Sequence, residues 1–267
     1  LHEFYKKGLS YSTLNTVRSA LSSIIQPIDN FTFGNHPLVT RYMQGVFVNR
    51  PALPRYKQIW DVSVVLAYLK SVGDNTQLSL QDLTMKTTML LALVTGQRCQ
   101  TLQALDIEQM VRNDDMWTFH INKLLKTSRP GKHFGTIEIK AFTEEKIICP
   151  VTVLKEYLER TLPIRKTGTQ LLLSYQKPHK PVSSETIGKW IKKTLTRAGI
   201  DIKAFGAHST RSASTSAAKV GNIPIGIIMN AAGWSNTKTF SKFYDKPIDT
   251  GQKDNFGHSL LKIVNGD

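Results

Sequence analysis

The stretch from Ser79 to Gly96 constrains the fold most. Ser79 followed three residues later by Asp82 reads as a capping box that opens a helix. Leu83, Met85, Met89, Leu90, Leu91, Leu93 and Val94 then follow within it. Near its end the helix is apolar over most of its circumference, and a helix apolar all round is a buried one. Thr95-Gly96 stops it, with Gly96 as C-cap. Arg98 comes directly afterwards, where scaffold meets cleft or where a loop arginine faces solvent.

The segments around this helix fall into two groups. Residues 1–50 read as helical. Leu14, Val17, Leu21, Ile24 and Ile25 recur at helical spacing until Pro27, and Pro37 opens a second helix through Leu38, Tyr42, Met43 and Val46. Arg18 and Arg41 are expected to face outward from these helices. Arg50-Pro51-Ala52-Leu53-Pro54-Arg55 disfavours helix and reads as a semi-rigid linker, assigned to residues 51–58. A larger domain, residues 59–267, follows. The chain opens at Leu1 and not at Met, so it reads as part of something longer.

In the larger part, Asp61 caps a helix carrying Val62, Val65, Leu66 and Leu69. Trp117, Phe119 and Ile121 alternate with polar residues as in a strand, and Gly135–Ile139 supplies its partner. Between them lies a basic tip, Lys123 to Lys132, with Lys126 and Arg129 inside it and Pro130-Gly131 as turn chemistry. Such a tip suits a DNA groove or an ordinary solvated loop. Pro150 opens a further helix, and Leu171-Leu172-Leu173 suggests a short buried strand. Ser183 or Ser184 caps a helix through Ile187, Trp190, Ile191 and Leu195. Its Lys189, Lys192, Lys193 and Arg197 either track a phosphate backbone or form a solvated face. After Ile223–Met229 and the break at Gly233-Trp234-Ser235, Phe240 and Phe243 share one face and leave Tyr244 on another. The fold class that results is mainly α with a small antiparallel β-sheet.

Charge narrows the function. Lys plus Arg is 35 against 20 Asp plus Glu, a formal charge of +15, which points to a polyanion and first to nucleic acid. The basic residues are dispersed through folded segments, which favours a basic face over a disordered arm. Cys99 and Cys149 show no paired Cys/His spacing, so no structural zinc site is expected and the chain reads as intracellular and reduced. No apolar run is long enough for a bilayer, and no signal peptide is visible.

The chemistry centres on Ala207-His208-Ser209-Thr210-Arg211, followed by the small-residue run Ser212–Ala218. A helix starting near Ser209 puts His208 at its entry and Arg211 in its first turn. Both side chains then face one anion at a helix N-terminus.

In order, Arg98, a hairpin lysine, His208, Arg211, Trp234 and Tyr244 resemble the tyrosine recombinase (phage integrase) family. Leu93-Val94-Thr95-Gly96-Gln97-Arg98 is similar to its first-arginine segment, and His208-Ser209-Thr210-Arg211 to its His-x-x-Arg motif. Ala232-Gly233-Trp234-Ser235-Asn236 with Tyr244 looks like its Gly-His/Trp box and nucleophile. The wording around Trp234 and Phe243–Pro247 is most similar to recombinases of eukaryotic DIRS or Crypton-type mobile elements. The likeness spans roughly residues 55–250, and residues 1–50 resemble the end of the family's helical core-binding domain, its beginning cut away.

The resemblance implies site-specific DNA cleavage and rejoining through a 3′-phosphotyrosine on Tyr244. Arg98 and Arg211 would clamp the phosphate, His208 would assist proton transfer, and Trp234 would donate to the phosphate and position Tyr244. Lys126 would protonate the leaving oxygen, with Lys123 and Lys132 as competitors. Arg18, Arg41, Lys123, Arg129, Lys132, Lys189, Lys192 and Lys193 are the expected DNA-binding residues. Neither metal nor small-molecule cofactor is implied. The implied partners are double-stranded DNA and further copies of the chain, as a tetramer exchanging a C-terminal segment, residues 245–267. The implied compartment is the nucleus in a eukaryote and otherwise the cytoplasm. Two departures stand out: Thr101 replaces an acidic residue common three places after the first arginine, and Tyr244 lies ten residues after Trp234, one more than in many members. The alternatives are a domesticated relative that binds DNA without cutting it, a type IB topoisomerase and an unrelated basic helical DNA-binding module.

Overall fold

The computed structural model describes residues 1–52, 56–126, 128–131, 133–166, 168–234 and 236–249. Lys132, the Phe243 side chain and residues 250–267 of the expected exchange segment lie outside the described residues. The chain divides into two compact units, Leu1–Arg55 and Tyr56–Asp267.

The first unit holds α1 (His2–Lys6), α2 (Tyr11–Ile24) and α3 (Pro37–Asn49). Ser10 caps α2 by accepting from the Thr13 N–H, and Pro37 opens α3 at a position that needs no N–H donor. Leu14, Met43 and Val46 form its small core. Arg18 does not simply face outward: it is half-buried and its Nε donates to the Gly34 carbonyl at 2.7 Å, tying α2 to the turn before α3. Arg50 closes the unit by donating to the Tyr5 and Leu9 carbonyls at 2.8 and 3.2 Å.

The second unit opens with β1 (Ile59–Trp60), α4 (Val62–Ser71), α5 (Leu80–Thr95) and α6 (Cys99–Gln103). The strands β2 (Met110–Arg112), β3 (Met116–His120) and β4 (Thr136–Lys140) follow. Then come α7 (Pro150–Thr161), α8 (Ser184–Arg197), α9 (Ser209–Val220), α10 (Ile225–Ala232), α11 (Thr237–Phe243) and β5 (Ile248–Asp249).

The helix from Leu80 is the axis of this unit. α5 packs against α6, α7, α8, α9 and β4, and its residues Leu83–Leu93 are all buried. Ser79 Oγ accepts from the Asp82 N–H at 3.1 Å, the expected N-cap, while the Asp82 carboxylate accepts from the Ser79 hydroxyl at 2.6 Å in place of the Ser79 N–H that a full capping box would use. Gly96 ends the helix in the left-handed region at φ 57°. Even Lys86 lies within this core at 1% exposure, with its ammonium on the Gly73 carbonyl at 3.3 Å. Burial pushes its pKa down, offset in part by Asp74.

The antiparallel sheet runs in the order β2-β3-β4, with Trp117 opposite Ile139 and Phe119 opposite Ile137. These four side chains form its buried face. The short strand β2 was not legible in sequence because Met110-Val111-Arg112 offers no alternation to read. The strand expected at Leu171–Leu173 is corrected. These leucines are fully buried and hydrogen-bonded to their surroundings, but the β-pairing here is limited to isolated bridges, Asp106 to Gln170 and Leu173 to Pro181. A buried apolar run marks the core and does not by itself specify a ladder. A second sheet is formed by β1 and β5, paired in parallel with Ile59 opposite Ile248. Among the described residues no helix is long and apolar enough to cross a membrane.

Candidate active site

α9 begins at Ser209, with His208 in the N-cap position and its side chain not used for capping. The start of α9 is pinned from below. Ser209 Oγ donates to the Gly206 carbonyl at 2.7 Å and accepts from Trp60 Nε1 at 2.9 Å. Trp60 therefore sets where the His208–Arg211 turn begins, a role no local sequence signal announced.

Arg211 is 1% exposed. Its Nη1 donates to the Gly96 carbonyl at 2.6 Å and its Nη2 to the Ala232 carbonyl at 2.5 Å. These carbonyls lie at the ends of α5 and α10, where helices leave acceptors unpaired. One guanidinium thus ties three helices together. Its Nε has no protein partner although it is buried, and the same holds for Trp234 Nε1. The Arg211 Cζ lies 4.1 Å from the Trp234 ring centroid and 5.5 Å from that of Tyr244. Burial first, then the Arg98 charge, push the Arg211 guanidinium down to about 10, so it stays charged at neutral pH. An enclosed cation with an unused donor is a site for an anion.

Tyr244 reaches this point from the end of α11. Its phenol lies 3.1 Å from His208 Nε2, and its ring is tilted 37° to that of Trp234 with centroids 4.3 Å apart. The longer spacing after Trp234 therefore still brings the phenol to the histidine. His208 keeps an exposed edge, yet desolvation of the ring, followed by the charges of Arg211, Arg98 and Lys126, holds its pKa below the ordinary imidazole value. In the tautomer that leaves Nε2 bare, the neutral ring accepts a hydrogen bond there from the phenol.

Next to these groups is a cavity of about 310 Å³ whose wall includes Arg98, Lys126, His208, Thr210 and Arg211. Arg98 enters it from the N-cap position of α6, half-buried. Lys126 enters from the β3–β4 hairpin, its backbone N–H bonded to Gln100 Oε1 at 3.1 Å. The one carboxylate on the wall, Glu185, is exposed and pairs with Lys189 at 3.3 Å. No acidic side chain among the described residues pairs with Arg98, Lys126 or Arg211. A larger cavity of about 830 Å³ runs along β4 and holds none of these residues, so the chemistry belongs to the smaller one.

With this arrangement in view, comparison with protein families gives a match to the phage integrase family over residues 65–248. The chain belongs to the phage integrase family. None of the curated proteins compared matches it. Solved structures do. A XerH site-specific recombinase bound to palindromic difH substrate in a post-cleavage complex aligns with TM-score 0.60 and 18% identity, over 98% of this chain and 70% of that one. The Tn1549 transposon integrase in complex with transposon right-end DNA aligns with TM-score 0.62 and 15% identity, over 99% and 82%. A lambda integrase dimer bound to a COC′ core site aligns with TM-score 0.54 and 17% identity, over 95% and 64%. At these identities the likeness is one of fold.

The integrase-family fold brings Arg98, Lys126, His208, Arg211, Trp234 and Tyr244 to one place, and within the same unit Lys123, Arg129, Lys189, Lys192 and Lys193 do not line the cavity. Lys123 sits 3.8 Å from Asp106, an acid just ahead of β2. Arg41, Arg129, Lys189, Lys192 and Lys193 are exposed. Arg197 bonds Asp82 at 2.7 Å and serves the helix packing. Thr101, in place of the acid, is buried in α6.

Three further side chains support the site. Gln97 Nε2 bonds the Ala231 carbonyl, next to the acceptor used by Arg211. Ser212 and Ser216, inside the small-residue run after Arg211, both donate to the Tyr244 carbonyl, at 3.3 and 2.7 Å. Ser216 also accepts from the Lys246 N–H at 3.1 Å. The run was visible in sequence. Its purpose, a polar seat for the backbone at Tyr244, depends on a segment 30 residues further on, at Lys246.

Proposed function

We propose that this chain cleaves and rejoins DNA strands at specific sites through a phosphotyrosine intermediate. The observation that carries the reading is the Tyr244 phenol 3.1 Å from His208 Nε2, beside the unpartnered Nε of buried Arg211. The Tyr244 oxygen attacks the scissile phosphorus and its proton passes to His208 Nε2. The P–O5′ bond breaks, Lys126 delivers a proton to the departing 5′ oxygen, and the protein is left joined to a 3′ phosphate. Arg98 and Arg211, with Trp234 Nε1, hold the non-bridging oxygens as their charge grows. Rejoining is the reverse, so the bond energy is kept and no nucleotide is consumed.

Arg41, Arg129, Lys189, Lys192 and Lys193, all exposed, are assigned to the DNA backbone; Arg18, Lys123 and Lys132 join them from the sequence reading. Residues 1–50 act as a DNA-binding core domain, 51–58 as a linker and 59–267 as the catalytic domain. The working form is a tetramer on DNA that exchanges residues 245–267. Phe243-Tyr244-Asp245-Lys246-Pro247 supports a eukaryotic mobile element of the DIRS or Crypton type, acting in the nucleus.

The decisive experiment uses a duplex nicked just past the scissile phosphate, so that the released fragment diffuses away and covalent protein–DNA accumulates. The chain is expected to form this adduct and Tyr244→Phe to form none. Binding without any adduct overturns the reading in favour of a relative that no longer cuts. Relaxation of supercoiled plasmid by the chain acting without a partner site points instead to a topoisomerase.

A further inference from the structure

We infer that Ser128 and His133 form a clasp that positions Lys126 for proton delivery to the leaving oxygen. This rests on the strand-cleavage reading above. Lys126 stands in a long connection between β3 and β4, exposed to solvent. Such a segment does not by itself hold a flexible ammonium in one place. The Ile121 N–H bonds the Gly135 carbonyl at 2.7 Å and closes the base of the loop. Beyond it, among the described residues, a chain of hydrogen bonds runs through His133, Ser128 and Leu125.

The direction of that chain follows from the partners. His133 Nε2 lies 2.6 Å from the Ile121 carbonyl, which can only accept, so Nε2 carries the proton. In the neutral ring Nδ1 is then an acceptor, and the Ser128 hydroxyl donates to it at 2.9 Å. The remaining capacity of Ser128 Oγ accepts the Leu125 N–H at 3.0 Å, while the Ser128 N–H bonds the Leu125 carbonyl at 2.8 Å. Leu125 and Ser128 bracket Lys126 on both sides. Leu125 is itself anchored in the core at 8% exposure. From the opposite side Gln100, two residues past Arg98, holds the Lys126 N–H. The backbone at Lys126 is thus gripped from the hairpin by the clasp and from α6 by Gln100, and the side chain is left to the cavity shared with Arg98, His208 and Arg211.

His133 is exposed and Ser128 only half-buried, so their loss is expected to leave the fold intact. Their contribution is read with two nicked substrates, one with the natural 5′ oxygen at the scissile bond and one with sulfur in its place. A thiolate departs without being protonated, since a thiol pKa is about 8.5, so cleavage at sulfur does not need the lysine proton. His133→Ala and Ser128→Ala are expected to lose about 10-fold or more in cleavage at oxygen and to match the unaltered chain at sulfur, as is Lys126→Ala. Equal losses on both substrates, or no loss on either, overturn the clasp. If Lys126→Ala is not rescued by sulfur, there is no proton delivery at Lys126 for the clasp to serve. Absence of adduct from the unaltered chain on both substrates is a different failure, that of strand cleavage itself.

Discussion

Arg211 and Arg98 are chemically alike and differently built in. Arg211 spends two donors on the Gly96 and Ala232 carbonyls and is enclosed, whereas Arg98 is half-buried at the cavity wall. Lysine offers one nitrogen in place of the planar fork whose two Nη atoms reach the two carbonyls. Arg211→Lys is therefore expected to lower stability by about 1–3 kcal/mol through a buried carbonyl left unpaired, and to abolish adduct formation. Arg98→Lys should reduce adduct formation with the melting temperature unchanged. Thermal melts run alongside nicked-substrate assays separate the two. His208 makes a second prediction. Its pKa lies below the ordinary value because the ring is desolvated and faces Arg211, Arg98 and Lys126. The neutral, proton-accepting form then persists into mild acid. Cleavage is expected to hold level down to about pH 6.5, the ordinary imidazole value, and to fall only below it. A single-turnover pH profile that already drops above that value contradicts a neutral His208 acting as base.

Elements matter here mainly through their ends. The C-terminus of α5 and that of α10 supply the carbonyls that orient Arg211, and the N-terminus of α9 supplies His208. Gly96 holds the first of these ends at φ 57°. A Cβ there would meet only Ser214 Oγ at 3.5 Å and Thr215 Cγ2 at 3.6 Å, ordinary contacts, so the cost is conformational. Gly96→Ala should cost about 1 kcal/mol by chemical denaturation and shift the Arg211 acceptor enough to slow cleavage. On α9, Ser216 makes two bonds to the backbone around Tyr244. Ser216→Ala is expected to cost about 1–2 kcal/mol and to slow adduct formation while leaving DNA affinity unchanged. Weakened binding with normal cleavage rate would contradict that assignment.

For the whole molecule the governing quantity is the charge of +15. Affinity for DNA should fall linearly with salt on logarithmic axes, and removing Lys192 or Lys193 should reduce the slope by about 1 each. Arg197→Ala should leave the slope alone and lower stability, since Arg197 bonds Asp82. Filter binding across salt concentrations checks both.

Much of this was readable in the chain itself, and the reason is locality. The caps at Ser79, Asp61 and Ser183, the stop at Gly96, the strand alternation at Trp117–Ile121 and the His208–Arg211 turn depend on neighbours a few residues away. The order of Arg98, His208, Arg211, Trp234 and Tyr244 was also plain, because order needs no coordinates. What tertiary structure alone decided is every pairing across long separations. Trp60 under Ser209, Gln100 on Lys126, serines of α9 on the Tyr244 carbonyl and Leu171–Leu173 buried without a strand are all of this kind. So is the delivery of Tyr244 to His208 despite its longer spacing. Hydrogen-bond capacity is written in the residue type, but the partner that uses it is chosen by where the packed core places the ends of its helices.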